Sequence, residues 1–260
     1  MTKILAVANQ KGGVGKTTTS VNLAASLAAT KRRVLLIDLD PQGNATMGCG
    51  VDKYALARSS CDVLLADATV ADATLKLAQW GFDLLPANAD LTVAEVKLMT
   101  MFGREFRLRK AIEPSLKGYD FVIIDCPPSL NMLTVNAMVA AKGVLIPMQC
   151  EYYALEGLSA LVKTIEEIRG SVNEELQIEG LLRTMYDPRN NLSNDVSEQL
   201  TAHFGDRVYN TIIPRNVRLA EAPSHGTPVL HYDRESRGAL AYLALAGEML
   251  RRNPVTGVTG

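Results

Sequence analysis

Three stations along the chain carry residue types that handle phosphate chemistry. The first is Lys11-Gly12-Gly13-Val14-Gly15-Lys16-Thr17-Thr18. Glycines let a main chain approach phosphate oxygens closely. A loop that opens a helix also aims free N–H groups and the positive end of the helix dipole at an anion. Lys16 supplies a point charge for the outer phosphates, and the Thr17 hydroxyl a ligand for Mg²⁺. The second station is Asp38-Leu39-Asp40-Pro41-Gln42-Gly43. Here Asp40 is placed to position an attacking water, and Asp38 to support Mg²⁺ or the loop. The third is Phe121-Val122-Ile123-Ile124-Asp125, four apolar residues ending in a carboxylate that holds Mg²⁺ directly or through water.

Such residues act only if strands deliver them to one edge. Short apolar runs at 4–8, 34–37, 82–85, 121–124, 144–146 and 176–182 predict strands, with another short one at 208–213. Helical patterns cover 16–30, 91–116 with a break near Gly103, 132–141, 155–169, 194–204 and 237–251. Strand–helix alternation implies an α/β fold, a doubly wound and mostly parallel sheet with helices on both faces. Each station then follows a strand, at the edge where such sheets bind ligands. No repeat or linker divides the chain. It is expected to form one phosphate-binding domain over 1–252, followed by a disordered tail at 253–260.

Composition limits the partners. The 27 Lys and Arg against 28 Asp and Glu, within 260 residues, exclude binding to nucleic acid by bulk charge but allow a local basic patch. No run of about 18 apolar residues is present, and the first strand begins at about residue 3, so a cytoplasmic protein without a signal peptide is expected. The four cysteines, Cys49, Cys61, Cys126 and Cys150, form no C-x-x-C pair and read as reduced core thiols.

The first loop departs from the common G-x-x-x-x-G-K-[ST] pattern, because Gln10 stands where its first glycine belongs and Lys11 precedes a Gly-Gly pair. This form resembles the deviant P-loop of the ParA/MinD family of ATPases. The resemblance runs from Lys3 to about Arg251. The segments Cys150-Glu151-Tyr152-Tyr153-Ala154-Leu155-Glu156-Gly157 and Thr211 to Gly226 are similar to chromosomal, Soj-type ParA proteins. It implies a P-loop fold, ATP and Mg²⁺ as ligands, and slow intrinsic hydrolysis. It implies an ATP-dependent homodimer in which Lys11 reaches the partner's nucleotide, as an arginine finger would in trans. On the same ground Asp40 belongs to a switch needed for hydrolysis, Pro127-Pro128 to a second switch, and Glu151 to the dimer face near the partner's ribose. Loops bearing Met185, Pro214 and Asn216 would frame the base. ATP over GTP rests on the resemblance alone.

In the resembled proteins the dimer binds DNA without sequence preference through C-terminal arginines. The matching positions are Arg189 and Arg218, with Arg215 and Arg183 as weaker candidates. From Gly180 onward there are nine Arg, no Lys and eight acidic residues, so any DNA surface is a local one. A ParB-like (Spo0J-type) activator and residence on the nucleoid, away from membranes, follow from the same resemblance. Two other readings compete. A MinD-like positioning ATPase would end in an amphipathic membrane helix, against which Pro254 and the polar tail argue. A cluster carrier would need exposed cysteines, of which Cys126 is the one of interest.

Overall fold

The computed structural model describes residues 2–152 and 154–253. Its centre is a seven-stranded sheet in the order β3-β4-β2-β5-β1-β6-β7. The strands are β1 (Lys3–Val7), β2 (Val34–Asp38), β3 (Leu75–Leu77), β4 (Phe82–Leu85), β5 (Phe121–Asp125), β6 (Gly143–Met148) and β7 (Gln177–Arg183). All pair in parallel except β3, which runs antiparallel to β4 at the edge. In β2, β5 and β6 every residue is buried, as in a sheet covered on both faces.

Side-chain alternation sends each strand into two cores. Ile4 and Ala6 of β1 join Val122 and Ile124 of β5 beneath α3 (Ser60–Leu65), α5 (Leu91–Leu98), α6 (Arg107–Ile112), α7 (Met132–Ala140), α8 (Ala154–Ser171) and α9 (Asn191–Phe204). Leu5, Val7, Phe121 and Ile123 face the other way. They pack under α1 (Lys16–Ala29) and α12 (Arg237–Arg252). The remaining short helices are α2 (Asn44–Gly48), α4 (Val70–Ala73), α10 (Val217–Glu221) and α11 (Val229–Tyr232).

The pattern predicted every strand of the parallel sheet to within two residues. The helical stretch from 91 does break at Gly103, whose φ is +62°. Two expectations need correction. Residues 208–213 form no strand, only a single bridge from Val208 to Leu181. Their N–H groups go elsewhere: Tyr209 donates to the Leu181 carbonyl, Ile213 to the Arg183 carbonyl, and Asn210 and Thr211 to the Glu248 carboxylate. Asn253 does not belong to a loose tail, because its amide donates to Glu179 at 2.8 Å. The rest of the expected tail, 254–260, lies outside the described residues.

Candidate functional site

Strand register does the first positioning. Asp38 ends β2 and Asp125 ends β5, and the two are direct partners across the ladder. Val7, the last residue of β1, pairs with Asp125 on the other side. The loop after β1 therefore rises beside both carboxylates. Gly13 and Gly15 adopt φ of +75° and +87°, which only glycine reaches without strain. Gly15 caps α1 with no side-chain acceptor over the helix start, so the first N–H groups of α1 face the loop.

Lys16 is buried, and its Nζ folds back on the Lys11 carbonyl at 3.1 Å. Burial lowers its pKa, and Asp125 opposes that shift. The Thr17 hydroxyl donates to Asp125 Oδ2 at 2.8 Å, and Ser20 Oγ sits 2.8 Å from Asp125 Oδ1. Asp125 and Asp38 are fully buried. Burial raises the pKa of both, and repulsion from Asp38 and Asp40 adds to it at Asp125. Asp38 is satisfied by neighbours. Its Oδ2 accepts from the Thr46 N–H and hydroxyl, and its Oδ1 from the Asp40 N–H. Asp40 is buried, lines the phosphate cavity and accepts from the Gln42 N–H at 2.9 Å.

That cavity, of about 310 Å³, is lined by Gly12, Gly13, Gly15 to Thr18, Asp40, Gln42, Asn44, Pro128 and Met185. An adjoining pocket of about 240 Å³ is lined by Gly15, Thr18, Thr184, Met185, Pro214, Arg215, Asn216 and Tyr242. Gly15, Thr18 and Met185 line both, so the two pockets are continuous along the loop. Met185, Pro214 and Asn216, the residues expected to frame a base, all line this second pocket. Met185, which lines both pockets, holds a φ of +50°, uncommon for a residue with a Cβ. Val14 lines neither pocket; its carbonyl accepts from the Thr184 hydroxyl and ties the loop to the end of β7.

Lys11 and Glu151, both expected at a dimer face, meet each other within one chain. Lys11 Nζ and Glu151 Oε2 are paired at 2.5 Å, each about half exposed. The arginines are engaged as well. Arg189 makes a forked contact with Asp187, and Arg218 bridges Glu221 at 2.8 Å and Asp233 at 3.1 Å. Arg183 donates to Ser197, to the Tyr209 carbonyl and to the Asn210 carbonyl, so it braces the fold. Arg215 lines the base pocket. All four cysteines are buried and unbonded, and the described residues include no cluster of His, Cys, Asp and Glu fit for a metal.

The comparisons decide the family. A family model described as an AAA domain matches residues 2–178. The chromosome partitioning protein ParA of Caulobacter vibrioides is 53% identical over 252 residues, covering 96% of this chain and 94% of that protein. The sporulation initiation inhibitor protein Soj of Bacillus subtilis is also 53% identical, over 96% of this chain and 98% of its own length. The chain belongs to the ParA/Soj family of partitioning ATPases. A Mycobacterium smegmatis structure described as cobyrinic acid a,c-diamide synthase, with a bound ATP analog and magnesium, is 40% identical. It matches with a TM-score of 0.86, covering 97% of this chain and 96% of that one. The ParA/Soj assignment thus agrees with the P-loop geometry, and the chain is an ATP hydrolase of that type.

Several site residues escaped the sequence reading. Ser20 sits four residues after Lys16 and looks like any helical serine; only the β5 register reveals its acceptor. Thr46 and Asn44 were hidden because α2 is too short to leave a periodic pattern. Gly43 had a signal in its Asp-Pro-Gln-Gly turn. Its φ is +60°, and a Cβ there would stand 2.7 Å from the Ala87 carbonyl oxygen. Gly43→Ala is therefore expected to destabilise the fold by at least about 1–3 kcal/mol. A melting temperature unchanged from wild type would contradict this.

Proposed function

We propose that the chain is an ATP-gated DNA-partitioning ATPase that binds nucleoid DNA as a sandwich dimer and leaves it after hydrolysis. The pockets fit ATP, with its triphosphate under α1 and its base between Met185 and Pro214. Mg²⁺ fits the donor set, because the Thr17 hydroxyl and the buried Asp125 carboxylate are hard oxygens held together at the loop. Thr17 and Asp125 would hold the ion, which neutralises charge on the outer phosphates when bound. Asp38 backs the site rather than facing it, since its oxygens are already engaged.

The residues then divide the work. The loop N–H groups from Gly12 to Thr18 orient the phosphates, and Lys16 swings from the Lys11 carbonyl to the outer oxygens. Asp40 orients the attacking water at the cavity mouth. The observation that carries the reading is Lys11. Its ammonium pairs with Glu151, both half exposed, and neither residue lines the phosphate cavity. An exposed ion pair of this kind contributes at most about 1 kcal/mol, so a partner's nucleotide can compete for Lys11 and leave Glu151 free for the ribose. Two copies would each complete the other's site. Arg189 and Arg218 of both copies would then meet DNA phosphates, and a ParB-like activator would speed hydrolysis.

The membrane reading lacks support in α12. Its apolar side, including Ala239, Tyr242, Leu245, Ala246 and Met249, is buried in the core it shares with α1. Among the described residues no helix is long and apolar enough to cross a membrane.

The test is binding to a fluorescent duplex of arbitrary sequence, with ATP or ADP, across a salt titration. Binding with ATP should be at least about tenfold tighter and fall steeply with salt, by about one logarithmic unit per logarithmic unit of salt for each phosphate contacted. Equal affinity with both nucleotides would overturn the gated model.

A further inference from the structure

One hydroxyl outside both nucleotide pockets joins three segments of the site. Thr46 is fully buried and lines neither pocket. Its Oγ1 donates to Asp38 Oδ2 at 2.7 Å, and its N–H donates to the same oxygen at 2.8 Å. The same Oγ1 accepts the Ala87 N–H at 2.9 Å. On its other oxygen, Asp38 accepts the Asp40 N–H at 3.2 Å. The end of β2, the start of α2 and the chain leaving β4 therefore converge on Thr46.

We propose that Thr46 is a positioning residue for hydrolysis, acting through Asp38 on the turn that presents Asp40. The inference rests on Asp40 being the group that orients water. Asp38 is sealed from solvent, so water cannot replace a lost donor there. Without the Thr46 hydroxyl, Asp38 Oδ2 keeps one donor of two and the Ala87 N–H loses its acceptor. Asp38 is then held by two donors instead of three, and the Asp40 N–H that it holds can shift with it. A water-orienting carboxylate tolerates little misplacement. Thr46 touches no loop residue from Gly12 to Thr18 through any of these bonds, so the loss falls on turnover and spares ATP affinity.

The full-length chain is tested as Thr46→Val, which keeps the volume and removes the hydroxyl, and as Thr46→Ser, which keeps the hydroxyl. Single-turnover ATP hydrolysis, binding of a fluorescent non-hydrolysable ATP analogue and melting temperature are measured. Thr46→Val should slow hydrolysis by about ten- to a hundredfold, the range expected for one lost hydrogen bond to a buried charge. Analogue affinity should stay within about threefold. Thr46→Ser should hydrolyse within about threefold of wild type. Adding Thr46→Val to Asp40→Ala should cost nothing further, since both act on one group. Should Thr46→Val not fold, Thr46→Cys, with a weaker donor, should give an intermediate slowing at unchanged analogue affinity. A slow Asp40→Ala beside a wild-type-rate Thr46→Val, or a parallel loss of affinity and rate, overturns the inference alone. Wild-type hydrolysis by Asp40→Ala overturns the reading of Asp40 and this inference with it.

Discussion

Asp40→Ala should bind ATP with near wild-type affinity, hydrolyse it about 10²–10⁴-fold more slowly, and accumulate as a dimer on DNA. The range is that of a positioned acid–base group lost from a transition state. Affinity should survive because the phosphate contacts come from other residues, the loop N–H groups, Lys16 and Thr17. The fold should survive too. Asp40 lines the cavity, and its carboxylate accepts from the N–H of exposed Gln42, which water can satisfy in its place. Asp38, fully buried and triply bonded, would not tolerate the same change, so Asp38→Ala is no substitute for this experiment. Light scattering with ATP, with and without DNA, gives the oligomeric state, and phosphate release gives the rate. Rapid hydrolysis by Asp40→Ala, or a monomer that holds ATP without dimerising, would refute the role assigned to Asp40.

The contrast between Asp38 and Asp40 also shows what the sequence could and could not reveal. Both carboxylates were legible as a phosphate-site station, because an apolar run ending in Asp marks the ligand edge of a parallel sheet. Their different roles were not. The β2–β5 register buries Asp38 against Asp125, while Asp40, two residues beyond the strand end, lines the cavity. Strand register is a long-range property that neither segment encodes alone. The same limit explains residues 208–213. Their apolar residues looked like a strand, yet two of their N–H groups are met by the carboxylate of Glu248, nearly forty residues later. Helices α2, α3 and α4 were missed for a different reason. At four to six residues each, they are shorter than the window in which a 3.6-residue period can be recognised. Lys11 and Glu151 were found separately, each through its own motif. That they pair within one chain required the ends of β1 and β6 to be neighbours.

Arg218→Glu should abolish ATP-dependent DNA binding while leaving ATP-dependent dimerisation intact. Arg218 now sits between Glu221 and Asp233, and both contacts lie at the surface. Exposed pairs of this kind are weak, about 0–1 kcal/mol, so a DNA phosphate can take the guanidinium from them. Reversal of the charge does more than remove one donor. It places a third carboxylate beside two existing ones, and the two-fold axis of a dimer repeats the change. Each chain swings by two charges in a region where nine arginines face eight acidic residues from Gly180 onward. That margin is too thin to absorb the loss, so affinity at about 0.1 M salt should fall by at least about a hundredfold. The slope of binding against salt should flatten by about two units per dimer, one phosphate contact from each chain. Arg189→Ala should act in the same direction but more weakly, since it removes a charge without adding the opposite one. Unchanged DNA retention by Arg218→Glu would move the DNA surface elsewhere. Loss of dimerisation together with DNA binding would instead place Arg218 at the contact between the two copies. The near-neutral balance of the whole chain gives this prediction its force. A protein with no bulk positive charge must concentrate its affinity for DNA in a few guanidinium groups, and removing one pair of them should therefore be decisive.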